Sequence, residues 1–140
     1  MSLLERGYAS VHLNELEVCL SRLPQAFENY TIAHLSDVHL TPKTPLASLK
    51  HLVHTLNNLP LDMIALTGDL FDAPAFSIKI QLAILKQLKA PVYFVSGNHE
   101  LIYLRHHIQH EIEQLGFHYL DNAHVILEKQ GEYMQLIGLS

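Results

Sequence analysis

The sequence predicts an α/β fold built on a parallel sheet covered on both faces. Two observations carry this expectation. Short runs that are apolar nearly throughout alternate with segments of helical periodicity, the pattern of βαβ units rather than of a half-solvated antiparallel sheet. The polar residues that end those runs also recur at the length of one unit: 32 residues separate Asp37 from Asp69, and 29 separate Asp69 from Asn98. Apolar residues make up 49% of the chain and charged residues 16%, which excludes a disordered segment. The 140 residues suit a single domain, 1–140 with a core over about 15–140, that buries roughly two-thirds of its unfolded surface.

Taken in order, Glu15–Leu23 alternates like a strand and Pro24 ends it. Tyr30–Ser36 is β-branched and apolar and stops at Asp37. Leu46, Leu49, Val53 and Leu56 recur at spacings of three and four, predicting a helix over 45–59 with Thr44 as N-cap and Pro45 at its first position. Asp62–Thr67 reads as a second buried strand. A second helix is expected over 74–89, with Ile78, Leu82, Leu85 and Leu88 inward. Pro91–Ser96 reads as a third strand, followed by a helix over 101–115 with Leu101, Leu104, Ile108, Ile112 and Leu115 on one stripe and Gly116 as C-cap. Short strands follow at 117–120, 124–129 and 132–139, the last two joined by a turn at Gln130–Gly131.

Composition narrows the partners. Lys and Arg number 9 against 14 Asp and Glu, a net charge of −5, and they do not cluster, so nucleic-acid binding has no electrostatic signal. The single cysteine, Cys19, makes no internal disulfide and reads as a small buried residue. No apolar run approaches the roughly 18 residues of a membrane span. Residues Met1–Asn14 lack the apolar core of a signal peptide, so a cytoplasmic location is expected. Met134–Ser140 reads as a strand entering a sheet with no polar tail. It is either a short C-terminal edge strand or, as is the expectation here, the point where the N-terminal part of a longer domain stops; an exposed final strand would promote self-association, a property that sedimentation at high concentration reads.

Eleven histidines, more than Lys and Arg together, raise the question of metal. Three clusters give it content: Asp37-Val-His39, Gly68-Asp69 and Gly97-Asn98-His99-Glu100. Each falls at the C-terminal end of an expected parallel strand, where open α/β sheets place their sites. In strand-like backbone, residues two apart point the same way, so Asp37 and His39 can grip one ion. Carboxylate, imidazole and amide oxygen suit Mn, Fe, Zn or Mg better than a thiolate-preferring ion. Each cluster alone is common; all three, in order and one unit apart, are specific.

At these residues the chain resembles the calcineurin-like metallophosphoesterase superfamily, and His34–His39 with Leu66–Asp72 resembles its bacterial predicted-phosphohydrolase branch. The resemblance implies a β-sandwich flanked by helices (αββα). It implies that Asp37 and His39 hold a first divalent ion, that Asp69 bridges two ions, and that Asn98 holds the second. It implies that His99 is catalytic, contacting phosphate and assisting the leaving group. The activity implied is hydrolysis of a phosphomonoester, phosphodiester or pyrophosphate by a metal-activated water, on a small-molecule or lipid-linked phosphate ester. Members of the superfamily carry a further histidine and a Gly-His-x-His motif, and no Gly-His dipeptide occurs in these 140 residues. At most one firmly bound ion, with phosphoester hydrolysis poor or absent, is the expectation for this chain. A silent scaffold that keeps the sheet is the alternative, and a nuclease the weakest reading. The remaining residues have plainer expectations: Asp72 and Glu100 as helix-start residues, His106, His107 and His110 as a solvated face, His51 and His54 at the surface or the core rim, and His34 as a hydrogen-bonded core residue.

Overall fold

The computed structural model describes residues 11–139. The reading of Met1–Asn14 as lacking a signal peptide thus falls largely outside the described residues. Four parallel strands, β1 (Ile32–Leu35), β2 (Met63–Thr67), β3 (Val92–Val95) and β4 (His118–Tyr119), form one sheet in the order β1-β2-β3-β4. Helices α1 (Leu46–Asn57), α2 (Lys79–Leu85), α3 (Asn98–Tyr103) and α4 (Ile108–Gln114) connect them. Strands β5 (Ala123–Lys129) and β6 (Glu132–Gly138) pair antiparallel as a separate hairpin. Its turn at Gln130–Gly131 has φ of 53° and 80°, the left-handed pair that a two-residue hairpin needs. No helix among the described residues is long and apolar enough to cross a membrane.

The α/β class stands as expected, with one change in layering. The register puts Ala33, Leu35, Ile64, Leu66, Val92, Phe94 and Tyr119 on one face, and these pack into the core with Leu49, Val53, Leu56, Leu82 and Leu85 of α1 and α2. Strands added always on the same side, with right-handed crossovers, put successive helices on the same face. The opposite face is covered unevenly: Met63 is fully buried there, whereas Ile32 is 48% exposed and His34 and Thr67 are exposed. The hairpin is tied to this side. Lys129 pairs with Asp62 at 3.2 Å and lies over the Tyr30 ring at 5.2 Å, while Glu132 accepts the Ala26 N–H at 2.5 Å. Burial there, with Asp62 and Tyr93 nearby, raises the Tyr30 phenol above its ordinary pKa.

Five local expectations change. Glu15–Leu23 forms no strand; Leu16, Val18 and Leu20 are exposed and the alternation finds no partner among the described residues. The α1 cap is Pro45 in extended conformation rather than Thr44, whose hydroxyl instead accepts the Thr41 N–H at 2.9 Å. The second helix is shortened to α2, because Pro74 opens a 3₁₀ turn at Ala75–Ser77 and Ile78, with φ −122°, separates the two. The third helix is broken by a 3₁₀ turn at Arg105–His107. Leu104, Ile108, Ile112 and Leu115 hold the inner stripe, but Leu101 on α3 is 62% exposed. Beyond α4, Gly116 takes φ 80°, and the N–H groups of Gly116 and Phe117 bond Glu113 and Ile112, a Schellman ending as its glycine predicts. Cys19 is exposed rather than buried.

Candidate metal centre

All three predicted clusters lie at C-terminal ends of neighbouring parallel strands, so the sheet order brings them together. The pleat does not align Asp37 and His39, however. Strand β1 ends at Leu35, and Asp37 and His39 take φ of 54° and 46°; Asp69 takes 52°. Left-handed conformations of non-glycine residues cost about 1–3 kcal/mol each and persist where the surroundings impose them. Here the surroundings are main-chain bonds: the N–H groups of Asp37, His39 and Leu40 donate to the carbonyls of Gly68, Asp69 and Leu70 at 3.2, 2.9 and 2.8 Å. The loop after β1 is thereby laid along the loop after β2.

The side chains converge as a result. Asp37, His39 and Asp69 each offer a ligand atom within 4.8 Å of the others. The Asp37 Oδ1 to His39 Nε2 distance is 3.8 Å. Two carboxylates and an imidazole at this spacing fit one divalent ion of the Mn, Fe, Zn or Mg kind. His39 also meets His99 edge to face, ring centres 4.7 Å apart, and His39, Asp72 and His99 form a second group within the same 4.8 Å reach. Asn98 opens α3 and is exposed, lining a groove of about 600 Å³ with Leu101, His106, Gln109, Tyr119 and Asp121.

Asp72 is the residue whose role the sequence did not suggest. It does not start a helix: its carboxylate Oδ1 accepts from His99 Nδ1 at 2.9 Å. This bond fixes the proton on Nδ1 and leaves Nε2 as the other ring position. The available signal was its place three residues after Asp69 in the same strand-end loop. His34 is hydrogen-bonded, to the Thr67 hydroxyl at 2.7 Å, but at the exposed face rather than in the core. His51, His54, His106, His107 and His110 are all exposed.

The sequence profile of the calcineurin-like phosphoesterase family matches residues 30–139. This chain belongs to that family. Among curated relatives, an uncharacterized metallophosphoesterase of Bacillus subtilis, YkoQ, is 30% identical over 141 residues, covering 96% of this chain and 52% of its own length. A second from the same organism, YkuE, is 32% identical over 94 residues, covering 64% of this chain and 33% of its own length. A Bos taurus transmembrane protein with metallophosphoesterase domain is 37% identical over 87 residues, 61% of this chain and 20% of its own length. The chain thus spans from one fifth to about one half of these relatives. Family membership makes this a phosphoesterase-type domain in kind.

Proposed function

We propose that the domain hydrolyses phosphoesters, with Asp37, His39 and Asp69 holding one divalent ion firmly and Asp69 and Asn98 a second weakly. The observation that carries this reading is the convergence of Asp37, His39 and Asp69 within 4.8 Å beside His99. The bound ion supplies Lewis-acid polarisation of the phosphate and lowers the pKa of a water. In its doubly protonated form His99 would contact phosphate through Nε2–H, the ring position opposite the Asp72 bond, and give that proton to the leaving oxygen, which leaves the neutral ring with its proton on Nδ1. Asp72 holds the imidazole in that tautomer and stabilises it when charged. Asp69 keeps the neighbouring loop in place by accepting the His99 N–H at 3.0 Å. The substrate class is a phosphomonoester, phosphodiester or pyrophosphate, free or lipid-linked. The exposed free thiol of Cys19 favours a reducing, cytoplasmic setting.

Hydrolysis of bis(p-nitrophenyl) phosphate at increasing Mn²⁺, with elemental analysis of the dialysed chain, tests this. The expectation is fewer than two retained ions per chain and slow turnover that disappears in Asp69→Ala. Turnover unchanged in Asp69→Ala sinks the assignment; two retained ions sink the single-site reading. A second reading, a metal-binding domain without catalysis, is favoured by the two groups of metal-capable side chains among the described residues sharing His39, and a retained ion with no turnover would establish it.

A further inference from the structure

Glu100 is the only acid with no exposed surface among the described residues. No ion pair with Lys or Arg is found for it there. A buried carboxylate is costly unless hydrogen bonds replace its water. Four main-chain N–H groups do so: Oε2 accepts from Gly97 at 2.7 Å and Asp69 at 3.0 Å, and Oε1 from Leu70 at 2.7 Å and Phe71 at 2.9 Å. Capping α3 requires only the bond to Gly97. The other three donors belong to the loop after β2, about 30 residues upstream, so a helix-start role accounts for one bond in four.

The two loops that Glu100 joins leave no room for adjustment. A Cβ on Gly68 would stand 2.7 Å from Gly97 N, and one on Gly97 would strike the Asp69 carboxylate and stand 2.7 Å from Asp69 N. We infer that Glu100 is a positioning residue: its carboxylate sets the separation between Asp69 on one loop and Asn98 and His99 on the other. This rests on the metal-site reading above. An amide cannot substitute, because glutamine has one acceptor oxygen and would turn its NH₂ toward two of the four N–H donors.

The test uses the full chain, with Mn²⁺ as the probe. Hydrogen exchange of the metal-free protein reads the joint without any ion. Glu100→Gln is expected to lose protection at Asp69, Leu70, Phe71 and Gly97 while the amides of β2 and β3 keep theirs. Its Mn²⁺ affinity by calorimetry should fall about tenfold or more. Acetate matches the CH₂–COO⁻ missing from Glu100→Ala and is expected to restore both readouts; acetamide, of the same size but with one acceptor, is not. Unchanged Mn²⁺ affinity in Glu100→Gln, or equal rescue by acetate and acetamide, overturns the inference. Should Glu100→Gln fail to fold, Glu100→Asp carries the test, since it keeps the charge and shortens the reach by one methylene. Tenfold weaker binding in a folded Glu100→Asp supports the inference, and wild-type affinity overturns it. A wild-type chain that binds no Mn²⁺ refutes the metal reading, and the exchange pattern with its acetate rescue then decides the role of Glu100 alone.

Discussion

The loop after β1 and the joined loops after β2 and β3 supply the same site by opposite means. The first is open: the Asp37 side chain is 64% exposed, and four main-chain hydrogen bonds attach its loop to its neighbour. The other two are interlocked, glycine against glycine, around a carboxylate with no exposed surface. Chemistry and architecture are therefore separable on one side of the site and inseparable on the other. A side chain of the candidate site can be removed from the first loop without touching the fold, whereas in the joint even a methyl group reaches the Asp69 carboxylate.

The largest effect is expected where the joint is overfilled. Gly97→Ala should lower the unfolding free energy by about 2–3 kcal/mol in a urea titration and abolish Mn²⁺ binding. Near-wild-type values for both would show that the loops can separate. Asp72→Asn probes the rim of the joint, where it meets the acid. Here kcat on a chromogenic phosphodiester should fall about 10–100-fold with little change in KM and no loss of stability; a pure KM effect would place Asp72 in binding instead. Asp37→Ala gives the smallest structural response, a stability within about 0.5 kcal/mol of wild type beside clearly weaker Mn²⁺ binding. A large stability loss would mean that the open loop is also part of the frame.

What the sequence revealed and concealed divides along sequence distance. The strand ends at Asp37, Asp69 and Asn98, the inner stripes of α1 and α4, and the Gly116 ending were legible because each is a pattern within a few residues. The bond from His99 to Asp72 spans 27 residues, and the bonds from Glu100 span up to 31, and local periodicity carries no trace of either. The break between α3 and α4 was hidden for a related reason. Leu101 fits the stripe by spacing, but on α3 it is Glu100 that is buried while Leu101 is 62% exposed, and on α4 Ile108 and Ile112 are buried in the core. Asp37 and His39 were correctly paired by a wrong route: main-chain bonding to Gly68 and Asp69, not a strand pleat, turns them together.

Glu100 reaches back to Asp69, Leu70 and Phe71 only after two consecutive βα units have docked. The ligand set therefore has no counterpart in an unfolded or half-assembled chain, and an ion that binds it selects the native state as a whole. Its binding free energy becomes folding free energy, about 2.7 kcal/mol when the ion stands at a hundred times its dissociation constant. On the proposed metal reading the centre would act as a cross-link between units, and metal supply would set how much of this chain stays folded.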